Sequence, residues 1–212
     1  ENTVEPVVIA MSSAFNAFPG GPQAGPAPRK TVEYGTGVVA ADDGSIVTDR
    51  QIVEGCLAIA IPGFGNADRI AEDKERDLAL LRLYGARGLK PLNLAGGGGK
   101  SPVELAGIAD PQSQGGGSAV STIKASLNGA DLSPAPTPGF SGAAVTDSEG
   151  KFAGIAQLKP VVPAGPAPAA AAQAALVPAE AVRNFLKANG VSATGASADA
   201  KSSVVRVICV RK

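Results

Sequence analysis

Ser141 is the residue best placed to do covalent chemistry. It stands in the tight turn "PGFSG", Pro138 to Gly142, where a short, glycine-flanked loop would present its hydroxyl for attack on an acyl carbon. A serine hydroxyl stays protonated near neutral pH unless a base accepts its proton. The usual base is absent, because the chain has 212 residues and no histidine. Lys124, Lys151 and Lys159 are the substitutes the sequence offers, and each would need desolvation beside Ser141 to serve. Nothing in the pattern marks any of them out.

Other chemistries are poorly supplied. With no histidine, two cysteines and few clustered carboxylates, neither a metal site nor a cofactor is expected. The run "GGGGKS" at 96–101 resembles the end of a phosphate loop, but it lacks the spaced first glycine and no helical pattern follows. It reads as a flexible connection. Nineteen basic residues balance nineteen acidic ones without a basic run, which leaves no electrostatic footprint for nucleic acid or an anionic membrane surface. Cys56 and Cys209 are an even count, so one disulfide is permitted but not required; two buried thiols would fit equally.

The elements that must position Ser141 are short. Abundant Gly and Pro (27 and 17), with few aromatics, favour strands joined by turns. "VEPVVIAM" (4–11) reads as a strand before a Pro/Gly-rich loop at 19–28. "GTGVVA" and "IVT" flank an Asp-Gly turn as a hairpin, and "LAIAI" and "DLALLRL" are further apolar strands. The second half repeats the rhythm in "PVELAGI", "SAVSTIKASL", "GAAVTD" and "KFAGIAQL". Regularly spaced short strands predict an all-β sandwich or barrel rather than βαβ units. One helix interrupts them at 178–190, opened by Pro178 and stopped by Gly190, with Val182, Phe185 and Leu186 on one face. Residues 160–173 form a Pro/Ala-rich loop, 191–203 a polar linker, and "VVRVICV" a final strand that must dock elsewhere.

In this order the motifs resemble the trypsin-like serine proteases, specifically the bacterial HtrA-like branch, from about Val4 to Gly190. "GTGVVAADDGSIVT" is similar to the hairpin before the catalytic histidine, and "DLALLRL" to the strand that begins at the catalytic aspartate. "PGFSGAAVTDSEGKFAGI" is similar to the nucleophile loop and the strands behind it, and "AALVPAEAVRNFLKANG" to the last strand and closing helix. The resemblance implies an all-β fold of two six-stranded antiparallel barrels, with barrels at 1–95 and 96–190 and a docking segment at 191–212. It makes Ser141 the nucleophile, Asp77 the orienting aspartate, and the backbone N–H groups of Gly139 and Ser141 the oxyanion hole. The histidine position, in "TDRQIVEGC", falls on Gln51.

That departure decides the expected function. An amide can bridge Asp77 and Ser141 by shape, but it is too weak a base to take a proton. Phe140 and Ala143 also depart from the family pattern beside the oxyanion loop. The expectation is a catalytically inactive protease homologue that binds an extended peptide or protein segment along Gly154, Ile155, Ala156, Gln157 and Leu158. Two alternatives stay open: an endopeptidase using Ser141 with a non-histidine base, and a structural domain of a larger exported protein. The loop 160–173 would border a shallow specificity pocket. The resemblance further implies a periplasmic or secreted setting, its signal segment absent from this chain, and there a Cys56–Cys209 bridge tying the C-terminal strand to the first barrel.

Overall fold

The structure, a computed structural model, describes residues 31–159 and 172–212. The expected strand at 4–11, the loop at 19–28 and all but the last two residues of the loop at 160–173 lie outside the described residues. The first half of the chain forms β1 (Thr31–Val39), β2 (Ser45–Asp49), a single helical turn α1 (Arg50–Val53), β3 (Ala58–Ile61), β4 (Gly65–Asp73) and β5 (Leu78–Arg82). The second half forms β6 (Val103–Gly107), β7 (Ser121–Asn128), β8 (Asp131–Ser133), β9 (Ala144–Thr146), β10 (Phe152–Lys159) and β11 (Gln173–Pro178). Helix α2 (Ala179–Ala188) and strand β12 (Val204–Arg211) complete the chain.

The strands close into two antiparallel barrels, ordered β1-β12-β3-β4-β5-β2 and β10-β11-β8-β7-β6-β9. The last strand therefore sits in the first barrel, between β1 and β3, with Thr31 opposite Arg211 and Cys209 opposite Ile59. Cys56 and Cys209 are joined by a disulfide with their Cα atoms 5.4 Å apart.

The strands that meet between the barrels are apolar on both faces, which is why they read as continuous hydrophobic runs. In β5, Ala79 and Leu81 fill the first barrel, while Leu78 and Leu80 face outward into a shared layer. In β10, Ala153 and Ala156 fill the second barrel, and Phe152 and Ile155 meet that same layer. Val182, Phe185 and Leu186 of α2 seal the layer, as their helical spacing predicts. Polar groups stitch the barrels as well. Thr36, fully buried on β1, donates from Oγ1 to Gly139 O at 2.8 Å and accepts from Ile108 N–H at 3.0 Å. Its own N–H donates to Ser141 O at 2.9 Å.

Two strands differ from the sequence reading. β4 is polar and largely exposed ("GNADRIAED"), held by pairing with β3 and β5 around a bulge at Arg69–Ala71 rather than by a buried face. β8 has three residues, too few to show a period.

Candidate functional site

The end of β2, the turn before β5 and the loop before β9 converge between the barrels, on a cleft of about 280 Å³ lined by Asp49, Gln51, Gly139 and Ser141 among others. Asp77 begins its strand in the left-handed conformation, φ 52°, a backbone state that needs support in a non-glycine residue. The support is visible. Its carbonyl accepts from Arg50 N–H and from the Gln157 side-chain amide, both at 2.8 Å. Its carboxylate is equally committed: Oδ1 takes Arg50 Nε at 2.9 Å and Arg50 Nη2 at 2.7 Å, and Oδ2 takes Gln51 Nε2 at 3.1 Å.

Gln51 thus makes half of the expected bridge. It donates to Asp77 as an imidazole would, but among the described residues it makes no hydrogen bond to Ser141. The Ser141 hydroxyl donates instead to Oδ2 of Asp49, and its oxygen accepts Leu158 N–H at 3.1 Å. Ser141 is 3% exposed and Asp49 wholly buried.

Asp49 is the cleft residue that sequence reasoning missed. It ends the apolar strand "SIVTD" and caps the short α1, accepting Gln51 N–H on Oδ1 at 2.9 Å. An Asp before a helical turn is an ordinary capping signal, and that signal was available in "TDRQIV"; the partner that makes it more than a cap lies 92 residues away. Burial, foremost, and the neighbouring Asp77 charge push its carboxyl up from 3.8 to about 6. The hydrogen bonds from Ser141 and Gln51 and the charge of Arg50 pull the other way.

No lysine nitrogen among the described residues bonds Ser141. Lys151 pairs with Glu149 at 2.8 Å, and Lys159, on the cleft rim, lies 3.6 Å from Asp131. Lys124 lines a separate hollow with Glu104 and Asp147.

Phe140 and Ala143 are built into the turn that carries Ser141. Both side chains are fully buried in the second barrel's core, the Phe140 ring so close to Gly107 that a Cβ there would lie 2.6 Å from it. The loop turns through Gly139 (φ 97°) and Gly142 (φ 89°), and a Cβ on Gly142 would fall 1.9 Å from Thr36 O. Among the described residues, neither Gly139 N–H nor Ser141 N–H donates a hydrogen bond.

The expected peptide-pairing edge at 154–158 is narrower than the sequence suggested. Gly154 and Ile155 are paired on both sides, with β9 and with β11. Ala156 gives its N–H to Ala143 O at 2.9 Å, accepts Gly142 N–H at 2.7 Å, and has β11 on its other side. The β9 pairing ends there, so the open part of the edge is Gln157, Leu158 and Lys159. Ala156 directs its N–H and C=O away from β11, and Leu158, two residues on, directs its own the same way, into the cleft. Its N–H is already given to Ser141, and its carbonyl remains.

Comparison with known proteins agrees with this architecture. The fold is similar to that of the serine endoprotease from Yersinia pestis, with a TM-score of 0.55 and 21% identity over 77% of this chain and 63% of that one. It is also similar to the HtrA-type protease AlgW, solved with a decapeptide, with a TM-score of 0.51 and 21% identity over 73% of this chain and 51% of that one. The chain spans less than two thirds of the length of either. No curated protein matches it. Residues 35–155, more than half of the sequence and including Asp49, Gln51, Asp77 and Ser141, match the trypsin-like peptidase domain, and the chain belongs to that family.

Proposed function

We propose that this chain is a peptide-binding or regulatory domain on a trypsin-like scaffold, without peptidase turnover, and that it works outside the cytoplasm. The observation that carries this reading is the pairing at the cleft. Gln51 stands beside Asp77 where a base would be needed, and among the described residues it offers Asp77 an N–H and makes no bond to Ser141. An amide neither accepts the serine proton nor returns one to a leaving amine, so the step that cleaves a peptide has no agent on the cleft side.

The binding apparatus supports the other half of the reading. Along the open stretch Gln157–Lys159 the Leu158 carbonyl can accept from an extended segment, and the N–H groups of Gly139 and Ser141 can donate to a peptide carbonyl. AlgW, of similar fold, was solved with a decapeptide. The Cys56–Cys209 disulfide supports an oxidising compartment, periplasmic or secreted.

The test has two arms. Incubation with a peptide library, followed by mass spectrometry, should find no cleaved bond. Hydrogen exchange with the same library should show added protection at Gly139 and Ser141, whose N–H groups would take up the peptide carbonyl. Cleavage that Ser141→Ala abolishes would overturn the loss of turnover. No binding, or protection only elsewhere, would return the domain to a structural role.

A further inference from the structure

We propose that Asp49 is the proton acceptor for Ser141, and that the pair makes Ser141 a nucleophile which takes acyl groups from activated esters while leaving amides intact. The proposal shares the cleft of the preceding section, since the acyl group must enter there, but it does not require that peptides bind.

The geometry is direct. The Ser141 hydroxyl donates to Asp49 Oδ2, so the proton to be removed already points at its acceptor. Oδ1 of the same carboxylate is held by Gln51 N–H at 2.9 Å, which fixes its orientation. Leu158 N–H, 3.1 Å from Ser141 Oγ, is placed to stabilise negative charge that develops on that oxygen. Ser141 lines the cleft, so an acyl group that enters it meets the hydroxyl, while Asp49 in the same wall is wholly buried.

The chemistry of the acceptor also suits the task. Its carboxyl, pushed up to about 6 mainly by burial, is a stronger base than a solvated aspartate and lies near the working pH of a general base. The charged groups facing it are Asp77, which raises it, and Arg50, which lowers it while clamped on Asp77; from the second barrel the facing group is Ser141.

The step balances without a further reagent. Ser141 Oγ bonds to the carbonyl carbon of an aryl ester and its proton passes to Asp49 Oδ2. The bond from carbon to the aryl oxygen then breaks, and the aryloxide leaves with the electron pair, needing no proton. An amide nitrogen must be protonated before it leaves. Asp49 lies buried beneath Ser141, and the group standing where an imidazole would deliver that proton is the Gln51 amide. Amides therefore stay whole, and the acyl-serine is long-lived.

The experiment uses the full chain with 4-nitrophenyl acetate, read as a burst of nitrophenolate and by peptide mapping of the acetyl group. Acetylation of Ser141 should follow a single rise with pH, midpoint near 6. Asp49→Asn, which keeps the Gln51 contact, should slow it about 100-fold or more; Lys124→Ala should leave it unchanged, and Ser141→Ala should remove it. Should the Asn variant fail to fold, the wild-type pH profile decides. Acetylation that is flat from pH 4 to 8, equal in Asp49→Asn, or confined to other residues would overturn the proposal. Absence of peptide binding would overturn only the preceding one.

Discussion

A buried carboxylate that is charged in the folded state should make stability fall as pH rises, and Asp49 gives that effect a size. Its carboxyl stands at about 6 in the folded chain against 3.8 for the unfolded one. Below the lower value both states are protonated and the group costs nothing; above the higher value both are ionised and the cost is complete. The loss therefore accumulates between about pH 4 and pH 6. A shift of about two units corresponds to about 3 kcal/mol at 1.36 kcal/mol per unit. Asp49→Asn removes the ionisation and keeps an oxygen for Gln51 N–H. Urea unfolding of both proteins, disulfide intact, should give similar free energies at pH 4 and an advantage to the Asn variant that grows by about 3 kcal/mol by pH 7. If the two curves run parallel across that window, Asp49 is not desolvated as described, and the basicity assigned to it goes too.

Two further outcomes are expected. Denatured, unreduced protein should show no free thiol. Replacing Cys56 and Cys209 together by serine should cost about 5 kcal/mol on the chain-entropy account of a 153-residue separation, read as a lower urea midpoint; two titratable thiols in the native chain would refute the bridge. Gln51→His places an imidazole beside Asp77 but leaves the serine proton on Asp49, so alone it should give no peptide hydrolysis. Combined with Asp49→Asn it should cleave peptides at a detectable rate, and cleavage by the single variant at the same rate would mean that Asp49 does not hold the hydroxyl.

What could be read in advance follows from where each signal is stored. β2, β5 and β10 are buried on both faces, so their apolar runs are long and their ends are marked by turn residues such as Gly44, with φ 86°. Ser141, Gln51 and Asp77 were legible because each stands at a fixed offset from such a run. β4 was not, since its residues have no buried face of their own and take their conformation from neighbours. Asp49 carried a capping signal and nothing more. Its burial depends on the second barrel closing over it, and its hydrogen-bond partner is local only in space. The peptide edge was read too long for the same reason: whether Gly154 to Ala156 are free depends on the pairing of β9 and its preceding loop, which the sequence of β10 does not contain.

The position of β12 has a consequence for how the molecule comes into being. A barrel whose wall includes Val204–Arg211 between Thr31–Val39 and Ala58–Ile61 stays open along two seams until that strand has been delivered. The second barrel, β6 to β11, is contiguous in the chain and can close earlier. During synthesis the first five strands therefore wait with unsatisfied edges, exposed to misalignment, while the later half assembles. Contacts of such long sequence separation are slow to form. The Cys56–Cys209 disulfide, whose formation hands two electrons to an external oxidant, can close only once the last strand arrives, so the covalent lock records the completion of the first barrel.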